Sequence, residues 1–233
     1  MKQKIKWIYF LFVGFAFLVL GLISCGKTNY DIFTKNLSEV RYNYFSGVVG
    51  EYSASFTSGL RESDFKLNGY HTENVEFGIL TITIPKDVEY ISSASYKLEY
   101  GNKLISGTLE QNPFDLNLMA DIGFIINDVE EMKVTFKMGD ITKFITIKDV
   151  TKNFKLNHSS ALNLFVEENY TKLEKLISKG ELQAEVYVKI MYDTTIDSNY
   201  YYLIRVISRT GETISGIVNP LTCEILAVTN GKI

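Results

Sequence analysis

Leu80-Thr81-Ile82-Thr83-Ile84 alternates apolar and polar residues one by one, and this period of two decides the reading of the first two thirds of the chain. Alternation at that period turns one side of a strand toward a core and the other toward water. The same pattern recurs downstream. Phe114, Leu116, Leu118, Ala120 and Ile122 interleave with Asp115, Asn117, Met119 and Asp121, and Val134, Phe136 and Met138 interleave with Lys133, Thr135 and Lys137. Gly101-Asn102 and Gly139-Asp140 separate such runs and predict two tight hairpins. Seven or so strands at this spacing predict an antiparallel β-sandwich over 39–152. Val75, Phe77 and Ile79 lie on one parity and Leu80, Ile82 and Ile84 on the other, which predicts a β-bulge beside Gly78.

Beyond 152 the period changes. Leu162, Phe165, Val166, Tyr170, Leu173, Leu176 and Ile177 recur at three and four, which predicts an amphipathic helix over 159–178, capped by Ser159 or Ser160 and followed by Gly180. Alternation then resumes in Val186, Val188, Ile190 and Tyr192, and again in Tyr200, Tyr202, Ile204 and Val206. Two short strands follow, at 213–218 and 224–228. A helix followed by a four-strand meander predicts a small α+β domain over 153–233. The fold class expected is therefore mainly β with α+β, as two domains meeting near 152.

The opening of the chain has a different character. Lys2, Lys4 and Lys6 precede an uncharged, strongly apolar run over 7–24, which ends in Leu22-Ile23-Ser24-Cys25-Gly26. A basic start, an apolar run and a small residue before the cut describe an export signal. Leu-x-Ser-Cys resembles the lipobox of bacterial lipoproteins. That resemblance implies cleavage after residue 24, diacylglycerol on Cys25, a tether over 25–38 and a location on the extracytoplasmic face of the bacterial cell membrane. The alternative is an uncleaved anchor, since eighteen helical residues span about 27 Å, near the hydrocarbon thickness. Either way the lysines stay cytoplasmic and the remainder lies outside.

Without the leader the chain holds 21 basic and 27 acidic residues, a net of −6, which argues against nucleic acid or anionic lipid as a partner held by charge. Only Cys223 remains beside Cys25, so packing rather than an internal disulfide must hold the fold.

The order helix–strand–strand–strand, closing on Asn219-Pro220-Leu221-Thr222-Cys223-Glu224-Ile225-Leu226, resembles a PepSY-type domain. In that family the last strand often runs into Asp-x-x-Thr-Gly-Glu/Lys-Ile-Leu. Here Asn219 stands at the aspartate and Cys223 at the glycine, and cysteine does not share glycine's tolerance of positive φ. The resemblance implies binding or restraint of a peptidase. Gly59-Leu60-Arg61-Glu62, Asn68-Gly69 and Val75-Glu76-Phe77-Gly78 look like segments of uncharacterised exported proteins of Gram-positive bacteria, which implies no function.

Catalytic motifs are missing. His71 and His158 have no His, Cys or carboxylate at ligand spacing, and neither Gly-x-Ser-x-Gly nor a phosphate-binding glycine loop occurs. The oxygen-rich stretch 193–199 lacks an EF-hand pattern and reads as a polar turn. Glu130-Glu131 and Glu167-Glu168 read as solvated faces. No metal or cofactor is expected. Tyr201 and Arg205 alternate onto one side of their strand as a candidate binding surface, because tyrosine and arginine together favour recognition; a core face is the competing reading. The function expected is a membrane-anchored binding protein with a protein or peptide partner. A regulator of an exported peptidase is the second reading, and an enzyme with an unfamiliar carboxylate site the third.

Lipidation has a direct test: Cys25→Ser should abolish processing and leave a longer, unmodified precursor on a gel. Normal maturation of that variant would sink the lipobox reading.

Overall fold

The computed structural model describes residues 30–64, 66–88, 93–112, 117–193 and 199–232. Cys25, the leader and the first part of the expected tether, 25–29, lie outside them, as do Phe114, Leu116 and the middle of the loop 193–199. The protein is mainly β, with a large mixed sheet and few helices. Asp31–Ile233 form one compact unit. Among the described residues no helix is long and apolar enough to cross a membrane.

A short helix α1 (Asp31–Thr34) leads into the long strand β1 (Leu37–Val49), and β2 (Tyr52–Glu62) and β3 (Asn74–Thr83) follow as antiparallel neighbours. Next come β4 (Ser95–Tyr100), β5 (Lys103–Thr108), β6 (Glu110–Gln111), β7 (Leu118–Asp121), β8 (Glu131–Met138) and β9 (Ile141–Asp149). Both expected hairpins form: Tyr100 pairs with Lys103 and Met138 with Ile141. Gly101 and Gly139 supply the positive φ, +53° and +57°, that such two-residue turns require. Strands β4, β5, β8 and β9 hydrogen-bond among themselves and pair with β1 where Phe45 and Ser46 meet Asp149 and Lys148. One core cluster draws on both sets of strands and includes Phe45, Phe56, Leu80, Ile82, Leu98, Val134, Phe136 and Ile147. Burying each such side chain contributes about 1.5–3 kcal/mol.

Two expectations about this half are corrected. The pairing of β2 with β3 runs without a slip past Gly78, so the bulge is not there. It lies in β1, where Arg41 pairs with Gly59 and Asn43 with Ser58, leaving Tyr42 as the extra residue. Leu80 and Ile82 face the core, whereas Phe77 is buried on the opposite side of β3, with the Arg61 guanidinium 5.2 Å from its ring. The apolar parity change thus marks two buried faces rather than one kinked strand. The tether is also shorter than expected. Phe33 is fully buried, and the Val186 amide donates to the Asn36 carbonyl at 2.9 Å, so 31–38 belong to the fold.

After a 3-10 turn at Thr151–Asn153 comes α2 (His158–Glu168). Its cap is Asn157, not Ser159 or Ser160: the Asn157 side chain accepts from the Ser160 amide at 2.8 Å. Ala161, Leu162, Phe165 and Val166 form its buried stripe. The helix stops earlier than its apolar spacing predicts: Asn169 leaves helical dihedrals, at φ −113° and ψ 13°, and its side chain donates to the Phe165 carbonyl at 2.9 Å. A single turn α3 (Tyr170–Leu173) and a 3-10 turn follow, and Ile177 already belongs to β10 (Ile177–Ser178), paired with β11 (Glu181–Leu182). The meander is β12 (Ala184–Asp193), β13 (Asn199–Ser208), β14 (Glu212–Asn219) and β15 (Glu224–Lys232). Helix α2 lies close on β14 because residue 216 is glycine; a Cβ there would come within 2.5 Å of the Phe165 ring.

The expectation of two separate domains meeting at 152 is corrected by one pairing. Strand β1 runs parallel to β12, with Glu39 opposite Tyr187 and Val40 opposite Val188. The sheet order β15-β14-β13-β12-β1-β2-β3-β7-β6 is therefore unbroken across that position. The connecting segment is fastened as well: the Lys155 and Leu156 amides donate to the Pro220 carbonyl, and the Phe154 ring meets the edge of Tyr202.

The β14–β15 turn shows how Asn219 and Cys223 replace aspartate and glycine. The Asn219 side-chain oxygen accepts from the Leu221 and Thr222 amides at 2.9 and 3.2 Å, as a carboxylate would. Cys223 takes φ +63°, a left-handed conformation that is costly for a residue with a Cβ. Its side chain is exposed and gains nothing from burial. Cys223→Gly should therefore stabilise the protein by about 1 kcal/mol, raising Tm by roughly 2–4 °C in calorimetry. A lowered Tm would show that the turn is not strained.

Candidate functional site

Among the described residues strand β15 ends the sheet, pairs only with β14 and is exposed along almost its whole length; only Ile225 is partly covered. Its outer rim presents backbone donors and acceptors to solvent over nine residues. Leu226 and Val228 are 40 % and 36 % exposed. Leu226 sits at a register shift against β14, where Ala227 pairs with Ile217 and Ile225 with Val218. Beside the strand runs a groove of about 600 Å³, walled by Leu164 and Glu168 of α2 and by Asn169 just past its end, and floored by residues that include Leu226 and Val228. The arrangement offers backbone hydrogen bonds on the rim and, next to it, a trough of mixed apolar and polar lining with Glu168 and Glu224 in its wall.

The two residues singled out in the sequence part company. Register puts Tyr201, Leu203 and Arg205 on one side of β13, opposite Met191, Lys189 and Tyr187 of β12. Exposure nevertheless changes along that side: Tyr201 is fully buried, Leu203 half-buried and Arg205 exposed. Tyr201 therefore presents no surface, and the expectation of a joint surface is corrected: of the pair only Arg205 is exposed. Arg205 is held by its Nε, which donates to Ser215 Oγ at 3.1 Å.

Arg205 lies within a charged cluster that the sequence pattern did not announce. The parallel pairing of β1 with β12 brings Glu39 and Arg41 beside Lys189. Glu39 is almost buried and has both oxygens occupied, Oε1 by Arg41 Nε at 3.0 Å and Oε2 by Lys189 Nζ at 2.5 Å. Burial works to raise the Glu39 carboxyl, but the two cations outweigh it and hold the group below its usual range. Burial lowers the Lys189 ammonium, and the charges of Arg41 and Arg205 add to that lowering against the pull of Glu39. The only local trace in the sequence was Glu39-Val40-Arg41, charge on the parity opposite an apolar residue.

A second cluster lies under the segment 63–73. Glu185 and Glu62 are buried, at 0 % and 2 % exposure. Glu185 Oε2 accepts from the Tyr187 hydroxyl at 2.9 Å and its Oε1 from the Asn68 amide at 3.4 Å. Glu62 Oε1 accepts from the Thr72 amide at 2.9 Å and lies 3.2 Å from His71 Nδ1, so His71 has a carboxylate partner that its sequence neighbours did not reveal. His158 packs its ring on Tyr42 at 4.9 Å, and burial lowers its pKa. Glu167 and Glu168 are exposed on α2, as expected, and Glu130 pairs with Lys152. Among the described residues no group of three or more His, Cys, Asp or Glu is placed to hold a metal.

Burial first, and then the nearby Glu62 carboxylate, raise the Glu185 carboxyl above its ordinary value of 4.5, while its hydrogen bonds from Tyr187 and Asn68 pull the other way. Between 4.5 and that raised value the folded chain keeps a proton that the unfolded chain has lost. Stability from this group is thus fully present below about pH 4.5 and declines as pH rises through the folded pKa. Glu185→Gln, which mimics the neutral acid, should flatten that part of the urea-midpoint-versus-pH curve. An unchanged slope would remove Glu185 as its source. In comparisons with known proteins, no family model, no curated protein and no solved structure matches this chain.

Proposed function

We propose that this chain is a lipid-anchored binding protein on the extracytoplasmic face of the bacterial cell membrane. Cys25 carries the anchor, and the exported part captures an extended polypeptide along β15. The observation that carries the reading is the nine-residue exposed edge with a groove alongside it. An added strand satisfies the rim's backbone groups, and its alternate side chains enter the trough between β15 and α2. In this reading β1–β9 form an antiparallel sandwich that serves as a rigid support. The work is recognition rather than turnover, it needs no cofactor, and the net negative charge disfavours nucleic acid.

A second reading, restraint of an exported peptidase, is favoured by the turn that opens β15. Asn219 and Cys223 reproduce the hydrogen bonding and the left-handed residue that aspartate and glycine would give a PepSY-like ending.

The test uses the full chain in detergent as bait against cell-envelope extract. Charged side chains on an edge block strand addition, and Leu226 and Val228 are exposed, so Leu226→Lys with Val228→Lys should abolish capture without lowering Tm. A captured peptidase whose activity falls on binding would select the second reading. Capture that survives the double substitution would overturn the β15 site.

A further inference from the structure

We propose that Arg41, Lys189 and Arg205 form a binding site for an oxyanion, a carboxylate or phosphate group, on the face of the sheet opposite α2. The inference goes beyond the β15 reading and rests on different residues.

The face is defined by register. Val188 and Ile204 lie on the α2 side, since Ile204 pairs with Gly216 and position 216 abuts Phe165. Lys189 and Arg205, of the opposite parity, lie on the other side. Glu39 joins them through its pairing with Tyr187, and Arg41, two residues on, points the same way just ahead of the bulge at Tyr42. Three strands from both ends of the chain thus bring three cations to one place around a single carboxylate.

One carboxylate does not satisfy them. Both Glu39 oxygens are taken, and neither reaches Arg205. The two guanidinium groups are held in a similar way. Arg41 donates its Nε to Glu39 and Arg205 its Nε to Ser215, and among the described residues the terminal nitrogens of both have no acceptor. Each arginine is therefore oriented by one bond while the donors suited to bidentate recognition of an oxyanion stay open. Arg41 and Lys189 are only 24 % and 30 % exposed at their side chains, so water screens their mutual repulsion less than on an open surface. Burial is the main cause that lowers the Lys189 ammonium and the charges of Arg41 and Arg205 add to it; an entering anion relieves that added repulsion. The excess stands out in a chain whose formal net charge is −3.

Glu39 is in effect an internal competitor for the same donors, which gives the site a signature that a merely structural ion pair lacks. Removing it should tighten anion binding rather than weaken it.

The experiment titrates the full chain in detergent with inorganic phosphate and, separately, with succinate. Both are followed by calorimetry against sodium chloride at equal ionic strength. Saturable heat with either probe is expected, and whichever binds identifies the group. Arg205→Gln, at an exposed position, should weaken binding roughly tenfold, as loss of one charge-assisted contact implies. Glu39→Gln, where thermal unfolding shows it folded, should strengthen binding. Neither probe binding beyond the chloride control would overturn the proposal, as would Arg205→Gln binding as tightly as the wild type.

Discussion

The parallel pairing of β1 with β12 is the constraint on which the rest of the structure depends. Parallel neighbours cannot be joined by a hairpin, so nearly the whole chain between them is a crossover connection. That crossover contains β2 to β9 and α2. Strand β1 carries β2 along one edge, and along the other it pairs with β12 of the meander at its start and with β9 of the first half further on. The bulge at Tyr42 lets it do so, since it changes which residues of β1 face the core before the strand reaches β9.

The same pairing explains where the buried polar groups lie. Glu39, Glu62 and Glu185 all sit at or beside the seam between the early strands and the meander. They are held by partners distant in sequence: Lys189 for Glu39, and Asn68 for Glu185. Glu62 instead takes its bonds from nearby in sequence, from His71 and Thr72. Burying carboxylates costs stability unless each finds donors, and a seam built from distant strands supplies them only once the whole sheet has formed. Glu39 therefore ties the correct alignment of β1 on β12 to the satisfaction of charge, and a slipped register would part it from Lys189.

At the far end of the sheet the constraint is weaker. Strand β15 has one neighbour and little covering it, so its conformation rests on β14 and on the Asn219 turn. That turn is also where Pro220 receives the segment leading into α2. The helix, the last strand and the groove between them are thus positioned from a single corner. A partner seated there would meet a surface whose shape is set by backbone bonds rather than by long, mobile side chains.

What the sequence determined by itself was local. Alternation marked β3, β8, β12 and β13, glycine pairs marked two hairpins, and a three-and-four spacing marked α2, because these depend on neighbours within a few residues. The end of α2 and its cap were harder, since Asn157 and Asn169 act through side-chain bonds that hydrophobic spacing does not register. Only the tertiary structure decided that one sheet crosses residue 152, that Tyr201 is buried while Arg205 is not, and that Arg41 lies beside Lys189. Parity tells which residues share a face, but not what covers that face or which distant strand lies next to it. Those facts follow from pairings across most of the chain length, which no local pattern encodes.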